Sequence, residues 1–280
     1  MRKLQDAKLS VARLNSIYKI KDEIPEEQEL IHNFKSDSIV FSNVSFKYDK
    51  LSDVYTIKDV TFTIPKGKCT AIVGLSGSGK TTLLKMILGF YEPDCGEVLI
   101  GGNKLSQYNL VEWRKMCGTV MQDGYIFSDT IASNIAPGKK SEIDMERVRN
   151  AAQIANIDSL IESLPERYQT IIGNDGKGLS MGQKQRILIA RAIYKNPDYI
   201  LLDEATNSLD ANNEKEIMNS LNKFLNGKTS IIIAHRLSTV RNAHNIIVLD
   251  NGSVAEEGCH DDLICKKGLY YSLVKNQLDV

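Results

Sequence analysis

The spacing of apolar residues along this chain changes period several times, and each change marks an element. Between Leu4 and Lys21 the apolar side chains Leu9, Val11, Leu14, Ile17, Tyr18 and Ile20 lie among charges at a spacing closer to a helix than to a strand. The segment Asp22-Glu23-Ile24-Pro25-Glu26-Glu27 breaks that pattern with a proline and acids, and reads as a linker. From Ser38 to about Ile64, alternating stretches such as Ile39-Val40-Phe41 and Val44-Ser45-Phe46 predict half-buried antiparallel strands. Three short apolar runs read as further strands: Cys69 to Val73, Asp198 to Leu202, which suits a buried parallel strand, and Ile231 to Ala234, also buried. Helical patterns follow the first of these over Thr81 to Leu88. They recur between about Asp123 and Lys177, for example Met145 to Ala152, and again over Lys184 to Ile193. No apolar run approaches the roughly 20 residues needed to cross a bilayer, and Met1 to Asp6 does not lead into the apolar stretch of a secretory signal.

The segments joining these elements carry the chemistry. Between the strand ending at Val73 and the helix that follows stands Gly74-Leu75-Ser76-Gly77-Ser78-Gly79-Lys80-Thr81, which fits the phosphate-cradling pattern without a mismatch. Glycines there let the backbone approach phosphate oxygens, and the anion sits among N–H groups at a helix N-terminus. Lys80 is expected to reach the β- and γ-phosphates as a point charge, with Thr82 next to the loop and the Thr81 hydroxyl ligating magnesium. After the apolar run 198–202, Asp203 and Glu204 stand at the carboxyl end of a strand, where open α/β sheets bind ligands. Asp203 is the candidate for the magnesium shell and Glu204 for the general base. Tyr48, at the end of an alternating strand upstream of the glycine loop, is the candidate platform for a base. Leu179-Ser180-Met181-Gly182-Gln183 opens a helix, so its hydroxyl and backbone N–H groups form a second anion site; on residue type alone, Ser180 is equally an ordinary N-cap.

The glycine loop, then Leu179 to Gln183, then Leu201-Leu202-Asp203-Glu204, in that order and spacing, resemble the ATP-binding cassette family, the motor domain of ABC transporters. The resemblance covers roughly Ser38 to Leu278 and implies an α/β fold: a P-loop NTPase core with an antiparallel β subdomain and a helical subdomain over about 123–195. It implies that Gln122 touches magnesium and the attacking water, that Asp210 lies in a loop at the facing surface, and that His235 contacts the γ-phosphate. It further implies that Ser180, Gly182 and Gln183 cover ATP held by a second, facing copy, so that a head-to-tail homodimer encloses two MgATP. Met181 departs from the glycine most members carry, and Asn174 from a glutamate common in exporters; the first bears on contact with the second copy and the second on coupling. The gap over 123–177 is much too short for the coiled-coil arms of chromosome-maintenance relatives.

In exporters that fuse membrane and motor parts, a stretch similar to residues 1–36 joins the last membrane helix to the motor, so 1–36 is expected to be such a stub and 37–280 the ATP-binding domain. Within the family, Met121 to Asp129 and Gly173 to Gly176 are similar to exporters of peptides and bacteriocins that carry a cysteine-peptidase domain. The expected partners are transmembrane domains, at the cytoplasmic face of the inner membrane. A soluble importer subunit and a non-transport ATPase of the same family remain open readings. Composition narrows this further: 35 basic and 35 acidic residues give zero formal net charge, so no basic field points to nucleic acid. Five scattered cysteines without a C-x-x-C pair fit neither a disulfide framework nor structural zinc, and predict a reducing compartment.

Overall fold

The computed structural model describes residues 2–19, 30–32, 35–173, 178–203, 211–234 and 240–278. Strands β1 (Ile39–Phe46) and β2 (Ile57–Ile64) pair antiparallel, and β1 pairs on its other side with β4 (Cys95–Ile100), which turns into the short β5 (Asn103–Lys104). Alternate side chains of β1 and β2 point inward, so Ile39, Phe41, Ile57 and Val60 are fully buried while their neighbours face outward.

A second sheet runs β10-β9-β3-β8-β7-β6, formed by β10 (Ser253–Gly258), β9 (Asn245–Asp250), β3 (Cys69–Gly74), β8 (Thr229–Ile233), β7 (Tyr199–Asp203) and β6 (Cys117–Val120). Its neighbours are parallel except β10 and β9. Every residue of β7 and β8 is buried, which is why Tyr199 to Leu202 and Ile231 to Ile233 read as apolar runs rather than alternations. The sheet divides the interior in two. Ala71, Val73, Ile200, Leu202 and Ile232 face a core shared with helices α4 (Ile131–Ile135), α5 (Met145–Ile154), α6 (Asp158–Ser163), α7 (Met181–Tyr194) and α8 (Ala211–Leu225). Ile72, Tyr199, Leu201, Ile231 and Ile233 face a second core, closed by the antiparallel sheet and by α2 (Lys80–Ile87) and α3 (Leu110–Met116). Trp113 of α3 anchors that second core, fully buried, its indole N–H donating to Ile87 O at 2.7 Å and its ring 4.8 Å from that of Tyr199.

Helix α1 (Arg2–Tyr18) leaves Leu9, Val11, Leu14 and Tyr18 exposed. At the other end, α9 (His260–Lys266) and α10 (Leu269–Leu278) bury Leu263 and Tyr270 in the helical-side core. The Glu256 carboxylate of β10 receives the Leu269 and Tyr270 N–H groups at 2.5 and 3.2 Å, capping α10. No helix among the described residues is long and apolar enough to cross a membrane.

Candidate nucleotide site

Register decides which loops meet. In the parallel sheet Ile72 pairs with Ile233 and Ile233 with Asp203, so the end of β7 lies level with the end of β3, one strand removed. Helix α2 begins directly after the glycine loop, with Gly79 at its N-cap in the left-handed region at φ 102°. A side chain there would be strained, and a Cβ would also meet Ile57 Cδ1 at 2.5 Å. A Cβ at Gly74 would lie 2.3 Å from Leu249 O and 2.7 Å from Ser78 Oγ, so the loop holds its path only with glycine at these points.

Lys80 is 6% exposed, and its ammonium donates to Gly74 O at 2.9 Å and Leu75 O at 2.8 Å, folding the loop around one positive charge. Ser78 Oγ is buried without a hydrogen-bond partner among the described residues. The Thr81 hydroxyl donates to Asp203 Oδ2 at 2.9 Å, tying the first turn of α2 to the end of β7. Asp203 is 1% exposed. The first N–H groups of any helix lack partners within it, so those of α2 add to a concave array of donors. Together these groups fit a phosphate chain. The paired hydroxyl and carboxylate oxygens fit a hard divalent cation such as magnesium, which takes one or two protein oxygens and the rest from phosphate and water. Among the described residues no group of three or more His, Cys, Asp or Glu is gathered.

Tyr48 stands two residues past β1 with half its surface exposed; its hydroxyl shares a 3.0 Å hydrogen bond with Thr82 Oγ1, and its ring lies edge-on to Phe46 and Tyr91. Gln122 is exposed two residues beyond β6, whose Val120 pairs with Leu202, so it enters from the strand next to Asp203. Ser180 caps α7: its hydroxyl accepts from Gln183 N at 3.2 Å, and its own N–H donates to Gln183 Oε1 at 2.9 Å. Met181 beside it is 64% exposed, so its bulk points outward and not into this chain's core. Glu204, Asp210, His235 and Asn174 lie outside the described residues.

Two features escaped the sequence reading. The helical pattern expected from about Asp123 begins only at Ile131; residues 121–130 form a loop instead. Asn134, fully buried, holds that loop by donating from Nδ2 to Phe127 O and Thr130 O and accepting at Oδ1 from Phe127 N and from Arg191 of α7. Arg191 adds bonds to Asn134 O and Tyr125 O, and burial pulls its guanidinium pKa down. An asparagine in a helical stretch carries no sign that its amide closes a loop, because its partners are backbone groups of no particular residue type.

Residues 57–207 match the family described as ABC transporter. The uncharacterised ABC transporter ATP-binding protein YfiC of Bacillus subtilis is 42% identical over 260 residues, covering 92% of this chain and 42% of that protein. An ATP-dependent lipid A-core flippase of Cupriavidus pinatubonensis is 41% identical over 266 residues, covering 93% of this chain and 45% of the flippase. Among solved structures, that of a bacterial Atm1-family ABC exporter with ATP bound superimposes with a TM-score of 0.88 at 36% identity, over 99% of this chain and 48% of the other. The chain therefore spans less than half the length of each of these relatives.

Proposed function

Because this chain belongs to the ABC transporter family, we propose that it is the ATP-hydrolysing motor of an exporter, pairing head to tail with a second copy around two MgATP and passing the motion to transmembrane domains. The observation that carries the reading is the bond from Thr81 to the buried Asp203, which brings the phosphate-binding helix and the acid-bearing strand to one point. In this reading the loop Gly74 to Gly79 cradles the phosphates, and Lys80 leaves the Gly74 and Leu75 carbonyls to neutralise the β- and γ-phosphate oxygens. Thr81, Asp203 and Gln122 hold magnesium, which supplies charge neutralisation at the phosphate oxygens. Glu204 takes the proton of the attacking water, His235 contacts the γ-phosphate, and Tyr48 stacks on the base. Ser180, Gly182, Gln183 and Asp210 meet the nucleotide of the second copy.

Exporter function is supported by relatives named as flippases and exporters. Such motors lie at the cytoplasmic face of a membrane, here taken as the inner membrane. Peptide cargo rests on the similarity of Met121 to Asp129 and Gly173 to Gly176 alone. The test is the solution mass of Glu204→Gln by light scattering after size exclusion, with and without MgATP. ATP-driven conversion of monomer to dimer is expected. A species that binds ATP yet remains monomeric would overturn the shared-site arrangement for this chain.

A further inference from the structure

The 47–56 excursion between β1 and β2 is held by more than its ends, and this inference rests on the reading of Tyr48 as the surface that stacks on the base. We propose that Asp94 is a positioning residue for that surface: its carboxylate fixes the turn carrying Tyr48 before a nucleotide arrives. Asp94 Oδ2 accepts the backbone N–H of Lys47, the residue next to Tyr48, at 2.9 Å, and Oδ1 receives the Lys50 ammonium at 2.5 Å. Its own N–H donates to Ser45 O at 2.8 Å, so the carboxylate is anchored to β1 and does not drift with the loop. Within the excursion, Thr56 N to Phe46 O closes the base and Lys47 Nζ to Ser52 O spans the interior. On the far side, the Tyr48 hydroxyl meets Thr82 and its ring meets Tyr91. Tyr48 is thus held at its hydroxyl by the phosphate-binding helix and through the preceding residue, Lys47, by Asp94, with half its surface exposed.

The two bonds of Asp94 differ in weight. Lys50 is 61% exposed, and an ion pair so open to water contributes little. The Lys47 N–H bond acts on backbone directly beside Tyr48, so it is the one that bears on the path of the turn. The Lys50 hydrogen bond first, and then the Lys47 N–H, hold the Asp94 carboxyl below its ordinary range, so it is ionised at neutral pH. Without it, the cost of ordering the turn and the ring falls on the binding step.

The readout is selectivity between ATP and inorganic tripolyphosphate, which engages the glycine loop but has no base. By titration calorimetry on this chain, Asp94→Ala is expected to weaken ATP about three- to tenfold, the range for ordering a side chain at a binding surface, and to leave tripolyphosphate affinity unchanged. Asp94→Asn, which keeps an acceptor for the Lys47 N–H, is expected to weaken ATP about twofold with the same selectivity, and carries the test if the alanine variant does not fold. Equal weakening of both ligands in either variant overturns the proposal, because a merely structural role would not discriminate; so does unchanged ATP affinity in Asp94→Ala. Tyr48→Ala and Lys80→Ala separate the premises. ATP affinity unchanged in Tyr48→Ala overturns the base platform and this proposal with it, whereas both ligands unaffected in Lys80→Ala overturns the phosphate site itself.

Discussion

Asn134→Ala isolates the link between the helical side of the molecule and the loop that follows Gln122. The side chain makes two bonds to Phe127, at 2.8 Å from its N–H and 2.9 Å to its carbonyl, one to Thr130 O at 3.1 Å, and one from Arg191 Nη2 at 3.1 Å. Thr130 O retains the Asn134 backbone N–H and Phe127 O retains that of Asp129, so only the Phe127 N–H and one guanidinium N–H lose a partner outright. A neutral bond contributes about 1 kcal/mol and one to a charged group about 1.5–3 kcal/mol, and these terms do not add fully. The expected loss is about 3 kcal/mol, roughly a hundredfold in the unfolding constant. Urea unfolding followed by far-UV circular dichroism and by fluorescence of Trp113 measures it. Trp113 is the single tryptophan and is buried in the opposite core, so it reports whether both halves unfold together. A loss below about 1 kcal/mol at unchanged denaturant slope would refute the claim that this amide holds the loop.

Lys80→Ala is expected to abolish binding of a fluorescent ATP analogue, since the buried ammonium is the charge around which the loop folds; retained binding would remove Lys80 from the site. Ser180→Ala deletes the acceptor for Gln183 N and is expected to cost about 1 kcal/mol in thermal unfolding, and separately to weaken ATP-dependent pairing. Burial pushes the Cys117 thiol far up, so at pH 8 iodoacetamide followed by mass spectrometry is expected to label the exposed Cys95 and Cys265 within the time Cys117 remains unmodified. The pKa of Asp94 is depressed in the folded protein, so its contribution is complete above the ordinary value of 3.8 and is lost only as pH falls through the lower folded value. The ratio of ATP to tripolyphosphate affinity in the wild type, divided by the same ratio in Asp94→Asn so that protonation of the ligands cancels, is therefore expected to stay flat from pH 8 to about pH 5; a decline of that quotient within the window would show that the turn is not held by this carboxylate.

The glycine loop, Asp203 at the end of its strand and the apolar strands were legible because each is a local pattern with a local cause. A backbone that must admit phosphate excludes bulky side chains, and a strand covered on both faces favours apolar residues, so composition and spacing carry the answer within a few positions. The alternation of β1 and β2 was readable for the same reason, since one face of that sheet is buried and the other is not. Sequence alone left undecided whether Ser180 caps a helix or faces phosphate; within this chain the structure shows the cap, and the contact with the nucleotide of a second copy is part of the proposed function.

What the sequence by itself determined is the glycine loop, the aspartate at the strand end and the strands that carry them, because those residues answer to their immediate neighbours. Tertiary structure alone decided that Asp203 reaches Thr81 across 122 positions of chain, that Asn134 gathers Arg191 from 57 positions away, and that Asp94 stands 47 positions from the backbone it holds. Each of these bonds joins partners brought together by sheet register or by the packing of two cores. Their strength depends on burial and direction, which residue type does not record.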